Sequence, residues 1–158
     1  MNQAVTAAIA FGSNLGDRAR HIDDALARLR ETPGVLVRAR SHVRETEPVG
    51  GPPQGRFLNG VALVDTTLAA GDLMSALLAI ERAGGRGRAE RDGPRTIDLD
   101  LVFYGDATVD ALDLELPHPR AHARGFVLEP LAEVAPEWTH PRLRRTAREM
   151  WEAWRREH

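Results

Sequence analysis

The stretch that most constrains the fold of this chain runs from Gly93 to Tyr104, GPRTIDLDLVFY. Behind the Gly-Pro pair, apolar residues alternate with others, so that Ile97, Leu99, Leu101 and Phe103 are separated by Asp98, Asp100 and Val102. Successive side chains of a β-strand point to opposite faces. The apolar residues are therefore expected to face a core, with Asp98 and Asp100 side by side on the other face. Two neighbouring carboxylates repel each other unless a cation lies between them, and Mg²⁺, which takes oxygen ligands, is the obvious candidate.

The composition narrows the possible functions. The chain has 158 residues, of which 42% are hydrophobic and 28% charged, as expected for one domain spanning 1–158 with a sizeable core. The net charge of −2 does not favour a general nucleic-acid or membrane surface. Cysteine and lysine are absent, which excludes disulfides, thiolate catalysis, Schiff bases and a P-loop lysine. The apolar beginning has no basic leader and is too short to span a bilayer, so a cytoplasmic protein is expected.

The order of the predicted elements indicates the fold class. The pattern predicts strands over 5–11, 35–43, 57–67 and 97–104, and helices after Asp17 and over 72–82. Weaker strand signals at 108–116 precede helices over 125–134 and 142–156. This order predicts an α+β fold with a ferredoxin-like βαββαβ core and an antiparallel sheet. The last helices are expected to cover the second face, extending the core to a three-layer αβα arrangement.

Several polar features are expected near one edge of this sheet. They are the Asp98/Asp100 pair, the arginines of the 86–95 loop, the Gly/Pro-rich loop 47–56 and the loop around His118. Carboxylates that hold Mg²⁺, combined with arginines that match phosphate geometry, suit a polyphosphate substrate. Mobile loops could close over it and exclude water.

Each feature also has a purely structural interpretation. An Asp-X-Asp pair can be the solvated edge of a strand, and the arginines can be a solvated basic loop. Phe57 and Asn59, on one face of a predicted strand, can be an ordinary strand-edge pair. Glu81 continues the apolar face of its helix, so it lies either at the rim of the core or aimed into a site.

Six motifs taken together carry a family resemblance. They are Gly12-Ser13-Asn14-Leu15-Gly16, Thr46-Glu47-Pro48-Val49-Gly50, Phe57-Leu58-Asn59, Gly93 to Asp100, Leu116-Pro117-His118-Pro119-Arg120, and Arg124-Gly125-Phe126 leading to Pro130-Leu131-Ala132-Glu133. In this order and spacing, the chain resembles the 6-hydroxymethyl-7,8-dihydropterin pyrophosphokinases over nearly its whole length. Asp92, Asp113, Glu115 and Pro119 depart from the residues typical of that family.

The resemblance implies transfer of the pyrophosphoryl group of ATP to the hydroxymethyl oxygen of the dihydropterin, with release of AMP, in folate biosynthesis. It implies ATP as co-substrate, two Mg²⁺ ions, small-molecule partners only and a monomer, with no nucleic acid and no membrane. It also implies residue roles: Asp98 and Asp100 as metal ligands; Arg86 and Arg95 as catalytic; Glu81, Arg88, His118 and Arg124 for ATP; and Thr46, Val49, Phe57, Asn59 and Phe126 for the pterin.

Two other functions are consistent with parts of the pattern. A different Mg-dependent nucleotidyl- or glycosyltransferase could use the Asp98/Asp100 pair without the pterin-type aromatic and amide set. A non-catalytic ferredoxin-like module could bind RNA or a regulatory ligand, but RNA-binding versions display aromatic side chains on the sheet. One tyrosine and four phenylalanines make that second alternative the weaker one.

Overall fold

The structure, a computed structural model, describes residues 3–84 and 96–158. Within them, the strands are β1 (Val5–Ser13), β2 (Val35–Arg40), β3 (Arg44–Thr46), β4 (Phe57–Thr66), β5 (Asp98–Tyr104), β6 (Val109–Ala111) and β7 (Leu114–Leu116). The helices are α1 (Arg18–Glu31), α2 (Ala70–Ala83), α3 (Gly125–Val134) and α4 (Ala147–Glu157). None of these helices is long and apolar enough to cross a lipid bilayer.

The main sheet is antiparallel throughout its described pairs and has the strand order β2-β4-β1-β5. The short strand β3 pairs with the first residues of β4, and β2 pairs with the remainder of β4. The expected mixed fold of helices and an antiparallel sheet is thereby confirmed. Strand β1 lies between β4 and β5, so its last residues are flanked on both sides by strands.

Helices pack on both faces of the sheet. On one face, Ile9 and Leu101 join Leu26 of α1 and Leu77 of α2 in a single buried cluster. On the other face, residues of β1, β4 and β5 pack against α3 and α4, among them Ala8, Val61, Leu63, Val127, Leu131 and Ala147. Because both faces are covered, the interior residues of β1 and β4 are buried on either side of the sheet. Polar residues gather where β1 ends and β4 begins.

The alternation expected along β5 is wrong beyond Leu101. Ile9 pairs with Leu101 and Ala8 pairs with Phe103, so the register shifts by one residue at Val102. A bulge of this kind turns the following side chains to the opposite face. Phe103 consequently packs on the face of the sheet that α3 covers. There its ring stacks on that of Trp138, with the two ring centroids 4.2 Å apart. The bulge lies beyond Asp98 and Asp100, whose facing is unaffected.

The last helix begins later than the sequence pattern predicts. It starts at Ala147 and not at residue 142, because Thr146 forms a capping box with Glu149. The Thr146 hydroxyl accepts from the Glu149 N–H at 3.1 Å, and the Glu149 carboxylate accepts from the Thr146 N–H at 2.8 Å. Leu143, expected on the apolar face of this helix, therefore precedes it and is 42% exposed.

Candidate active site

A cavity of about 280 Å³ lies at one end of the strands, where β1 ends and where β4 and β5 begin. Nine of the residues to which the family resemblance assigns a role line it. They are Thr46, Val49, Phe57, Asn59, Asp98, Asp100, His118, Arg124 and Phe126. Five different motifs of the chain supply these residues, so the fold brings them together.

The two carboxylates lie on the first residues of β5. Asp98 and Asp100 both line the cavity, whereas Leu99 between them points into the core and is only 5% exposed. This is the alternation that a strand imposes. Two carboxylates on one strand face are a donor set suited to a hard divalent cation, which would complete its shell of oxygen ligands with water and substrate oxygens.

Glu81 lies apart from the cavity lining. It is on α2, is 2% exposed, and its Oε2 accepts a hydrogen bond from the Leu99 N–H at 2.7 Å. That N–H belongs to the residue between Asp98 and Asp100. Glu81 therefore anchors the backbone that carries both carboxylates to helix α2.

Removing this anchor is expected to destabilise the fold. A Glu81→Leu variant leaves the buried Leu99 N–H without its carboxylate acceptor, which costs about 1–3 kcal/mol. Urea unfolding monitored by circular dichroism measures this change, and Glu81→Gln, which keeps a side-chain oxygen acceptor, is expected to lose less. A Leu variant as stable as the wild type would show that the hydrogen bond contributes nothing.

The cavity lining also contains aromatic and amide groups. Phe57 and Asn59 lie on the same face of β4, and Phe126 is the second residue of α3. The Asn59 amide donates to the Thr46 hydroxyl, and Asn59 is 7% exposed. A flat heterocycle fits such a combination, because aromatic rings stack on its faces while amide and hydroxyl groups bond to its edge.

Basic groups form another part of the cavity lining. His118, Arg120 and Arg124 line the cavity. The Arg120 N–H donates to Nδ1 of His118 at 3.2 Å, so the proton of the neutral imidazole is on Nε2. Burial, together with the positive charges of Arg124 and Arg120, lowers the pKa of His118 to about 4, against an opposing effect of Asp98. At neutral pH this side of the cavity therefore offers a neutral imidazole donor beside two guanidinium groups.

The Gly/Pro-rich segment 47–56 borders the cavity through Glu47, Val49 and Gln54. It is tethered to the end of β1, since the Asn14 amide donates to Gln54 Oε1 at 2.7 Å and to the Gly55 carbonyl at 3.0 Å. These bonds give the Asn14 of the first motif a structural role that the sequence pattern does not reveal.

The remaining residues named from the sequence either lie outside the described part of the chain or do not line the cavity. Arg86, Arg88 and Arg95, as well as Asp92, lie outside the described residues. Asp113, Glu115 and Pro119 are exposed and do not line the cavity.

Gly12 is a cavity residue that the sequence pattern does not reveal, because the motif predicts a turn there. Strand β1 instead continues to Ser13, and Gly12 pairs with Asn59 on one side and with Asp98 on the other. A Cβ atom at Gly12 would lie 2.8 Å from Asn59 Oδ1 and 3.5 Å from the Phe57 ring. The absence of a side chain here keeps the floor of the cavity open.

Known proteins resemble this chain in sequence and in fold. Residues 8–136 match the family model described as 7,8-dihydro-6-hydroxymethylpterin-pyrophosphokinase (HPPK). A 2-amino-4-hydroxy-6-hydroxymethyldihydropteridine pyrophosphokinase of Synechocystis sp. is 41% identical over 140 residues, which cover 89% of this chain and 71% of the relative. The Pseudomonas aeruginosa protein of the same name is 44% identical over 133 residues, covering 84% of this chain and 82% of the relative.

Among solved structures, the Plasmodium falciparum HPPK-DHPS wild type with pteroate superposes with a TM-score of 0.78 at 16% sequence identity. The match covers 98% of this chain and 43% of that one, so this chain spans less than half of the solved protein. At this identity, the likeness establishes a shared fold.

Proposed function

This chain belongs to the 7,8-dihydro-6-hydroxymethylpterin-pyrophosphokinase family, and we infer from its cavity how it carries out ATP-dependent pyrophosphoryl transfer to hydroxymethyldihydropterin in folate biosynthesis. In the proposed reaction, the hydroxymethyl oxygen of the pterin attacks the β-phosphorus of ATP in line. An O–P bond to the pterin forms, the bond from the β-phosphorus to the oxygen bridging it to the α-phosphorus breaks, and AMP leaves. The hydroxyl proton passes to solvent or to a phosphate oxygen, since among the described residues no side chain lining the cavity is an evident general base.

One observation supports the assignment most strongly: Asn59 and Asp98 flank Gly12 on neighbouring strands. Residues directly opposite each other in an antiparallel sheet point to the same face, and adjacent strands are about 4.8 Å apart. Asn59 and Asp98 are therefore roughly 10 Å apart across β1. A bicyclic ring that bonds to Asn59 would extend its hydroxymethyl arm over the floor at Gly12 towards the carboxylates.

The pterin would be held by the aromatic and amide side of the cavity. Phe57 and Phe126 would stack on the two faces of the ring. Asn59 and Thr46 would bond to its polar edge, and Val49 would cover it from the tethered loop. The hydrogen bond between Asn59 and Thr46 supports this role, because it orients the amide before the substrate arrives.

Asp98 and Asp100 would hold two Mg²⁺ ions together with phosphate oxygens of ATP. Bound Mg²⁺ neutralises charge on the triphosphate and fixes its orientation. His118 and Arg124 would bind ATP: the neutral imidazole can donate from Nε2, and the guanidinium can pair with phosphate oxygens. Glu81 would contribute to ATP binding indirectly, by positioning the strand that carries the carboxylates.

The roles of Arg86 and Arg95 in stabilising transferred charge, and of Arg88 in binding ATP, rest on the sequence motif alone. We also propose that residues 1–158 form one pyrophosphokinase domain with a ferredoxin-like core. The strand order β2-β4-β1-β5 supports that description, because β3 is a short addition to a βαββαβ unit.

A coupled assay tests the proposed reaction. With ATP, Mg²⁺ and hydroxymethyldihydropterin, the protein is expected to produce AMP and pterin diphosphate in a 1:1 ratio, and no AMP when the pterin is omitted. Chromatographic separation of the nucleotides distinguishes AMP from ADP. Release of ADP, or of free pyrophosphate as a primary product, would contradict the assignment and favour another Mg-dependent transferase.

A further inference from the structure

An ion-pair cluster joins the approach to β3 with helix α3. The Glu133 carboxylate accepts from Arg44 Nη2 at 2.7 Å through Oε1, and from the His42 backbone N–H at 3.0 Å through Oε2. The ring Nδ1 of His42 lies 2.8 Å from the same Oε2. Arg44 Nε also lies 3.5 Å from Glu129 Oε1. One arginine on the strand thus contacts two glutamates on the helix, and we call these four residues the β3–α3 clamp.

The clamp is partly shielded from solvent. The side chains of Arg44 and Glu133 are 31% and 27% exposed, and that of Glu129 is 42% exposed. Burial by itself would raise the pKa of Glu133, but hydrogen bonds from His42 and Arg44 bring it below its ordinary value. Glu133 is therefore ionised at neutral pH and accepts hydrogen bonds from two points of the strand segment.

The strand and the helix that the clamp joins also carry residues proposed to bind the pterin, namely Thr46 on β3 and Phe126 on α3. Arg44 and Thr46 are two residues apart on β3, so their side chains point to the same face. Phe126, Glu129 and Glu133 follow one another at spacings of three and four on α3, so they lie on one helix face. Arg44 of β3 contacts the two glutamates of α3, while Thr46 of β3 and Phe126 of α3 both line the cavity.

The short strand has few other constraints. It consists of three residues and, among the strands that the structure describes, pairs with β4 alone. Its neighbour Glu45 points to the opposite face, where it pairs with Arg18 at 2.9 Å and with Arg56 at 3.4 Å. Of the contacts described for β3, only the clamp ties it to α3.

We propose that Arg44 is a positioning residue for the pterin: through Glu133 and Glu129 it fixes the position of Thr46, which would bond to the polar edge of the ring, relative to Phe126, which would stack on its face. This inference rests on the proposed function, because it takes the ring to contact both residues. Ion pairs that remain partly open to solvent contribute little to global stability. The effect of the clamp should therefore appear in pterin affinity far more than in stability, because misplacing a binding group by a fraction of an ångström weakens binding steeply.

The test is a kinetic comparison of Arg44→Ala with the wild type. We expect KM for the pterin to rise about tenfold, with kcat and KM for ATP changed by less than about twofold. Pterin affinity measured directly by titration calorimetry should fall by the same factor, and the melting temperature should stay close to that of the wild type. Arg44→Lys, which keeps the charge but cannot span both glutamates, should give an intermediate KM.

A matched control and a charge reversal complete the design. Arg142→Ala removes an exposed ion pair of similar length, 3.0 Å to Asp110, at a distance from the cavity lining, and should leave KM for the pterin unchanged. Arg44→Glu should weaken pterin binding more than Arg44→Ala does, and adding Glu133→Arg to it should restore part of the loss.

Other results would overturn the inference. They are a wild-type KM for the pterin in Arg44→Ala, equal losses in KM for both substrates, and a charge-reversed pair with no recovery. The wild-type enzyme separates this inference from the proposed function. If the wild type forms no AMP in the presence of the pterin, the proposed function fails and the inference with it. Normal wild-type turnover with an unaffected Arg44→Ala variant overturns the inference alone.

Discussion

Replacing either Asp98 or Asp100 with alanine is expected to lower turnover by roughly a thousandfold or more, while the protein stays folded. Loss of one carboxylate would remove a proposed oxygen ligand of the Mg²⁺ that would neutralise charge on the triphosphate, an effect of several kcal/mol on the barrier. Both side chains line the cavity and do not fill the core, so neither replacement leaves a void in the packed interior. We expect unfolding in urea to be unchanged or shifted slightly towards higher stability, since the two carboxylates no longer repel each other.

The measurements are steady-state AMP formation and the Mg²⁺ concentration needed for half-maximal rate. Asp98→Asn is an isosteric second variant, because it keeps the shape and removes the charge. Asp113→Ala is the matched control: Asp113 is exposed in the turn between β6 and β7 and does not line the cavity. Near-normal turnover in Asp98→Ala or Asp100→Ala would refute the metal role.

Replacing Gly12 with alanine is expected to raise KM for the pterin by about tenfold to a hundredfold. The added Cβ would approach Asn59 Oδ1 to 2.8 Å, so the amide has to move away from the position in which it bonds to Thr46. Overpacking of this kind typically costs about 1–3 kcal/mol. Here it would displace the Asn59 amide, the group proposed to bond to the polar edge of the pterin. Gly12→Val should be more severe, because its two methyl groups would also reach towards the Phe57 ring.

The chain offers a close control for this substitution. Gly71 lies in the first turn of α2, and a Cβ there meets nothing within 4 Å. Gly71→Ala should therefore leave both KM values unchanged and stabilise the helix slightly. The prediction for Gly12 is wrong if Gly12→Ala binds the pterin as tightly as Gly71→Ala does.

Much of the local structure follows from the sequence because the signals are local. The N-cap at Asp17 is observed, with its carboxylate accepting from the Arg20 N–H, and α3 spans the residues that its apolar spacing predicts. The alternation from Ile97 to Leu101 places Asp98 and Asp100 on the face that the period of two requires. In each case the deciding residues lie within one turn or one strand of each other.

Features that depend on partners distant in sequence could not be predicted in this way. The bulge in β5 arises where β5 pairs with β1, about ninety residues earlier, so nothing within β5 reveals it. The start of α4 is mispredicted for a different reason. Its capping box is local, but the apolar residues before Thr146 continue the helical spacing and suggest an earlier start. Glu81 could be at the rim of the core or in the site on pattern alone, and only the packing of α2 on β5 shows its bond to Leu99.

The sequence by itself determined which residue types the site contains and the family to which they point, because side-chain chemistry and motif spacing are properties of the linear chain. The tertiary structure decided how those residues are arranged: a cavity that Gly12 lines, a strand whose two carboxylates are anchored through Glu81, and a strand β3 that Arg44 joins to helix α3. These relations depend on which strands and helices become neighbours. Which elements become neighbours depends on packing helices against both apolar faces of the same sheet. No single segment of the chain contains that information.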